Sequence, residues 1–357
     1  MVNVDVVVIG GGLLGLAAAR ALDRRGREVV VLEAAGVGHE RSGSKGDARI
    51  FRLGYTDPLY VQMAQQAERL WRELEAETGV ELLRTTGQLT LGPGRDSVLT
   101  TLRAAGAPVE ELTAEEAAER FPGVRADGSV IFEPASGVLA ADRALIALRR
   151  RLTVHEHVAA RAVRDEGDRV MVETTAGTWS AAVAIICAGP ATSMLASPSV
   201  WLSTSATLEQ VGYYAPVDGP LDMPIVVADG PRPLYGLPVA ARGWYKLGLH
   251  QAGPVVDPAS ADYRDDPGLL SELTALTEDL LPGLSPVLVD SLRCLYDSTA
   301  DDDFILDRHG RIVLGAGTSG HGFKFGPLLG ELLADLALDV EPPVPLQRFA
   351  ASRLGLR

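Results

Sequence analysis

The sequence predicts an α/β fold in which a discontinuous nucleotide-binding domain carries an inserted α+β domain on a mixed or antiparallel sheet. Three segments predict it. Residues 4–10 form a short β-branched run leading into Gly10-Gly11-Gly12-Leu13-Leu14-Gly15, then an Ala/Leu-rich helical stretch at 16–25, then an apolar run at 29–32 ending on Glu33. Strand, G-x-G-x-x-G turn, helix, strand and acid, in that order, are the signature of a Rossmann-like dinucleotide site. Residues 181–187 form a second apolar run, closed by Gly189-Pro190, which reads as a parallel strand delivering a loop to the same ligand. Residues 311–317 are a strand into a Gly-rich turn, followed by Thr318-Ser319-Gly320-His321-Gly322-Phe323-Lys324 and an apolar helix at 327–338.

Each residue of the first turn has a physical task. Gly10 permits the tight turn out of the strand. Gly12 lacks a Cβ, so a pyrophosphate can approach the backbone, and Gly15 lets the helix pack closely on the strand. The helix N-terminus, at Leu13 and Leu14, offers free N–H groups and a positive dipole end to phosphates. Glu33 can accept hydrogen bonds from a ribose hydroxyl pair and would repel a 2′-phosphate, which argues against NADP. The motif alone does not choose between NAD and FAD. An interrupted nucleotide domain with a late Gly-rich closing segment, at Gly317, Gly320 and Gly322, fits FAD better.

The remaining elements follow in order. A Gly- and Ser-rich loop at 36–46 runs into Lys45-Gly46-Asp47-Ala48-Arg49-Ile50-Phe51-Arg52. A long helix is expected at 58–78, with Leu59, Met63, Ala67, Leu70 and Leu74 on one face. Strands flank Thr86-Gly87. Two short helices lie between 96 and 120, the second opened by Thr113 with Glu116 at capping-box spacing. A helix is read at 142–151, and strands at 158–163, 169–173 and 178–180. Residues 208–251 alternate like antiparallel strands, and 266–281 look helical. The nucleotide domain is therefore expected at 1–80, 141–200 and 300–357, and the substrate domain at 81–140 and 201–299.

Composition narrows the function class. The chain has 357 residues and a net charge of −14, which disfavours nucleic acid and anionic membranes as partners. No apolar run approaches the roughly 20 residues of a membrane helix. The strand-like start lacks the basic segment of a signal peptide, and the closing Leu-Gly-Leu-Arg matches no targeting signal. Two cysteines, Cys187 and Cys294, make no disulfide framework, so a cytoplasmic location is expected. No metal-ligand spacing is present.

Four segments carry a resemblance over nearly the whole chain: 10–33; Gly46-Asp47-Ala48-Arg49-Ile50-Phe51-Arg52; Tyr245-Lys246-Leu247-Gly248-Leu249-His250; and 294–325, from Cys294-Leu-Tyr-Asp-Ser-Thr to Gly320-His321-Gly322-Phe323-Lys324-Phe325. With these the chain resembles the D-amino-acid-oxidase-like flavoproteins, and within them the monomeric sarcosine oxidase and N-methyltryptophan oxidase group. The resemblance implies FAD, joined through Cys294 by a thioether. It places Lys246 near flavin N5 for oxygen reduction and Arg49 close to the ring. It gives the substrate carboxylate to Arg52 and Lys324, and lines the substrate pocket with His250. Lys45, Gly46 and Phe323 are carried over as cofactor contacts. The group often has His-His where Ser44-Lys45 stand here, which puts sarcosine itself in doubt as substrate. The implied reaction oxidises the C–N bond of a secondary or cyclic amino acid and returns the electrons to O2 as H2O2. A dehydrogenase using another acceptor is the alternative.

The residues also carry simpler readings. Arg49 and Arg52 share a face if their segment is helical and oppose if it is extended; each could instead form an ion pair with Asp47 or Asp57. Lys246, in an apolar strand, is either edge-exposed or buried and functional. Lys324 serves a carboxylate or is a solvated surface lysine. Tyr235 is a candidate pocket wall, otherwise core. His321 is expected to shape the Gly-rich turn, Cys187 to be an inert core thiol, and 301–303 to be a solvated acidic turn.

Overall fold

The computed structural model describes residues 2–195 and 202–354. The closing residues from 355 on, read above for targeting, and residues 196–201, where the expected nucleotide domain passes into the substrate domain, lie outside the described residues. The fold is the predicted one, built on two large sheets.

The first sheet is centred on Val2–Ile9, whose β-branched run is buried between two parallel neighbours. Val6 lies opposite Val183 of Gly177–Ile186 on one side and opposite Val29 of Val29–Leu32 on the other. Thr153–His155 extends the sheet beyond Val29–Leu32, and Ile312–Ala316 joins Gly177–Ile186 in parallel. The runs expected separately at 178–180 and 181–187 are therefore one strand. Its first half meets the antiparallel hairpin partner Val170–Thr174, and its second half meets the late Gly-turn strand.

Helices cover one face. Leu13–Arg24 begins three residues earlier than its Ala/Leu run suggested. It packs against Gly326–Leu338 through small residues: a Cβ on Gly330 would overlap Ala17, and one on Gly326 would meet Leu13. Pro58–Thr78 is opened by the Asp57 carboxylate, which accepts the Leu59 N–H at 2.8 Å. Its buried stripe is Tyr60, Met63, Ala67, Trp71 and Leu74. Leu59 and Leu70, placed on that stripe by spacing, are only half-buried because Tyr60 and Trp71 turn the face. Thr113 and Glu116 form the expected capping box ahead of Ala114–Arg120.

The second sheet holds Ser205–Pro216, Ile225–Ala228, Leu234–Val239 and Trp244–Leu249 as antiparallel neighbours, extended by Gln88–Leu91 and Val130–Glu133. Leu284–Ser298, the longest strand, forms its edge against Ser205–Pro216. The helix Pro267–Leu280 packs against this sheet. Strand alternation then decides the site. In Trp244–Leu249, Tyr245, Leu247 and Leu249 enter one core, so Lys246 faces the other way.

A small third sheet joins Arg49–Phe51, Gly137–Leu139 and Leu83–Thr85. The segment carrying Arg49 is thus extended, and Arg52 follows the end of its strand.

Candidate active site

One cavity of about 920 Å³ runs between the sheets. At one end it is lined by Gly10, Gly12, Leu13, Leu14 and Glu33, and at the other by Arg52, His250 and Lys324. Arg49, Tyr235, Lys246 and Cys294 border it as well, as do Gly320, Gly322 and Phe323.

The glycine end is shaped by backbone. Gly10 has φ +105°, and a Cβ there would overlap the Cys187 carbonyl. A Cβ on Gly15 would overlap the Gly10 carbonyl, so the helix lies as close to the strand as glycine allows. Beside Gly12 only the Ser44 hydroxyl is near. Ser44 accepts the Leu13 N–H at 3.0 Å, so it takes one donor of the helix N-terminus. The Glu33 carboxylate is buried and accepts Gly11 N–H at 2.7 Å and Ala35 N–H at 2.8 Å, which fixes it at the cavity wall. Cys187 is buried and its thiol is pushed up to about 12 by that burial, the inert behaviour expected of it.

Three expected cofactor residues lie off the wall. Lys45 reaches Asp142 at 3.2 Å, and the Gly46 N–H donates to the same carboxylate at 2.9 Å. Gly317, at φ +62°, gives its N–H to Asp297 at 2.8 Å. The helix Gly326–Leu338 does not itself reach the cavity. The tight turn Phe323–Phe325 precedes it and presents Phe323 and Lys324 there instead.

The opposite end is cationic. The expected partners of its arginines are taken: Asp47 pairs with Arg242 at 2.6 Å, and Asp57 pairs with Arg348. Arg49 is tied instead to the carbonyls of Gly43, Lys45 and Ala48 and lies over the Phe323 ring at 5.6 Å. Arg52 stacks over Tyr55 at 4.9 Å. Among the described residues neither forms an ion pair, so the Arg52 fork is open to a ligand.

Lys246 is 5% exposed. Burial, then the Arg49 charge, lowers it to about 7. Lys324 is equally buried and also held well below its usual range, by burial and then Arg52. The surface reading of Lys324 fails. His250 is lowered to about 4 by burial and then Arg52, so its ring is neutral near pH 7. Tyr235 is raised, first by burial, and its hydroxyl interacts with Tyr296. Cys294 is half-buried and free on the edge strand, opposite Glu209.

Several residues escaped the sequence reading. Glu133 is fully buried and accepts from Gly54 N–H at 2.8 Å, Gln88 at 2.9 Å, Ser136 at 3.1 Å and Thr90 at 3.2 Å. It anchors the backbone two residues beyond Arg52. Burial raises its pKa, and the Arg52 charge opposes that rise. A lone acid in the apolar run Val130–Glu133 was the available signal. Tyr55 had none. Residues 301–303 form the expected turn with Asp301 and Asp302 exposed, but Asp303 is buried, bonded to Arg348 at 2.6 Å and to the Tyr60 hydroxyl at 2.9 Å, and Asp301 pairs with Arg353 at 2.9 Å. His321 does shape its turn, donating its N–H to Thr318, but its ring also enters a polar chain.

The residues fit FAD. A glycine cradle that side chains would fill opens into a cavity whose other end holds Arg52 and Lys324, which form no ion pair among the described residues. Among the described residues no His/Cys/Asp/Glu group could hold a metal, and no helix is long and apolar enough to cross a membrane.

The comparisons with known proteins agree. Residues 5–336 match the DAO family, described as FAD dependent oxidoreductase. Human peroxisomal sarcosine oxidase is 34% identical, with 98% of this chain and 96% of the relative covered. Monomeric sarcosine oxidase of Bacillus sp. (strain B-0618) is 31% identical, with 99% and 97% covered. The open form of NikD, described as an unusual amino acid oxidase essential for nikkomycin biosynthesis, superposes with a TM-score of 0.88 at 27% identity, covering 98% of each chain. The chain belongs to the DAO family of FAD-dependent oxidoreductases.

Proposed function

We propose that the protein is an FAD-dependent oxidase acting on the C–N bond of a secondary or cyclic amino acid. The observation that carries this is the meeting of Arg52, without an ion pair among the described residues, a buried Lys324 and a buried Lys246 in a cavity that begins at a dinucleotide cradle. Bound FAD would supply a hydride acceptor for the carbon beside nitrogen and a route for the electrons to O2, the chemistry that yields an imine and H2O2.

The chain's own residues supply position and field. Gly10, Gly12, Leu13, Leu14 and Glu33 would hold the nucleotide. The planar Arg52 guanidinium would donate to both oxygens of a carboxylate, and Lys324 would add a point charge. Neutral His250 and the Tyr235 ring wall the side-chain space. Lys246 stands near its titration point in a desolvated wall, where a proton gained would stabilise negative charge developing on oxygen. Cys294, at the cavity and free, is the candidate for covalent flavin attachment. The two free cysteines suit a reducing, cytoplasmic setting.

A peroxide assay over N-methyl and cyclic amino acids, each paired with its decarboxylated amine, tests the reading. Peroxide from acids but not from the paired amines is expected; no peroxide from any acid would reject it. Acid precipitation tests the attachment: colour in the pellet, lost in Cys294→Ser, is expected, whereas colour released by wild type contradicts it.

A further inference from the structure

Lys324 is fixed at both ends. Its backbone carbonyl accepts the Trp71 indole N–H at 2.8 Å, and Trp71 is fully buried and stacked on Phe323. Its amine donates to the Tyr55 hydroxyl at 2.9 Å and to the His321 carbonyl at 2.8 Å. The Tyr55 hydroxyl in turn meets His321 Nδ1 at 3.2 Å, and His321 Nε2 meets the Asp302 carbonyl at 3.0 Å.

The direction of every bond in this chain follows from chemistry. A carbonyl only accepts, so His321 Nε2 carries a hydrogen. Burial, then the Lys324 charge, lowers this imidazole to about 3, so it is neutral and holds one hydrogen. Nδ1 is therefore an acceptor, Tyr55 O–H donates to it, and the Tyr55 oxygen is left to receive Lys324. The imidazole is held in place by aromatic neighbours: Phe304 lies 4.7 Å away between ring centres and Tyr60 5.4 Å. Asp302 sits at φ +61°, in a turn pinned on either side by the Asp301–Arg353 and Asp303–Arg348 pairs.

We propose that Tyr55 and His321 are positioning residues that hold the Lys324 amine ready for a substrate carboxylate, with the Asp302 carbonyl selecting the imidazole tautomer that makes this possible. The proposal rests on the reading of Lys324 as part of the carboxylate clamp. Two amine contacts point into protein, and the remaining position on nitrogen is left for the cavity that Lys324 lines.

The test is calorimetric binding of tetrahydro-2-furoate, a cyclic carboxylate with no oxidisable nitrogen, to the FAD-loaded protein. Tyr55→Phe and His321→Leu should each weaken it about tenfold, the loss of one charge-assisted hydrogen bond. Their double variant should be no weaker than either alone, because both act through one chain. His321→Asn keeps an acceptor where Nδ1 lies and should bind within about threefold of wild type. Melting temperatures check that each variant folds. Tyr55→Phe and His321→Leu within twofold of wild type, beside a Lys324→Met that binds poorly, would overturn the positioning role and leave the clamp. A Lys324→Met that binds as wild type would overturn the clamp reading itself.

Discussion

The two ends of the cavity are built by different means. At the nucleotide end the wall is centred on the backbone of one short turn, 10–15, where glycine is required because side chains would overlap Cys187 and Gly10 carbonyls. At the cationic end the wall is side chains brought from distant segments: Arg52 after the strand Arg49–Phe51, Lys246 from the middle of the second sheet, and Lys324 from the tight turn Phe323–Phe325. The first end depends on local conformation, and the second on topology and on the cost of burying charge. Substitutions at the first should therefore fail as folding, and at the second as chemistry.

The largest effect is expected at Gly15. Gly15→Val drives a side chain into the Gly10 carbonyl, and we expect no folded, coloured protein. A stable yellow variant would show that the helix can stand off the strand. Lys246→Met, in contrast, should fold and bind flavin. Its reoxidation by O2 should slow on the order of 100-fold, as for removal of one preorganised charge, with flavin reduction by substrate little changed; equal losses in both half-reactions would break the assignment to oxygen. Arg52→Met should raise the Michaelis constant for acids by about 10- to 100-fold, the range for one bidentate charged contact. An unchanged value would remove Arg52 from the clamp.

The smallest effect sharpens the comparison through stability. Lys246 falls from 10.5 to about 7 on folding. Between those values the unfolded chain holds a proton that the folded chain lacks, so its contribution to stability rises with pH. That contribution is complete above about 10.5 and is lost as pH falls to about 7. Apoprotein denaturation from pH 7 to 9 should show this rise, and Lys246→Met should flatten it. An equal slope in both would mean that the lysine keeps its charge when folded.

The same contrast explains what the sequence disclosed. The glycine turn was legible residue by residue because its demands are local. The capping box at Thr113 and Glu116 was legible for the same reason. Arg49 and Arg52 left two geometries open, which only the pairing of Arg49–Phe51 with Gly137–Leu139 decides. Lys45 read as a cofactor contact, but Asp142, almost a hundred residues on, takes its amine. In the exposed acidic turn 301–303, the burial of Asp303 and the ion pairs of Asp301 and Asp303 were not legible because Arg353 and Arg348 come more than forty residues later. Leu284–Ser298 went unread as a strand because an edge strand with half-buried residues on both faces shows no clean alternation. Tyr55 carries no motif, and its place in the chain to Lys324 exists only once His321 is folded against it.

The central claim is that the cationic end admits an amino-acid carboxylate to a working flavin. It is tested most directly by mixing the purified protein, without oxygen, with a cyclic secondary amino acid and separately with the matching amine that lacks the carboxylate. Bleaching of the visible flavin band by the acid alone, with colour restored on admitting air and H2O2 formed in equal amount, is the predicted result. Bleaching by the amine as readily as by the acid, or by neither across the series of N-methyl and cyclic acids, would contradict it.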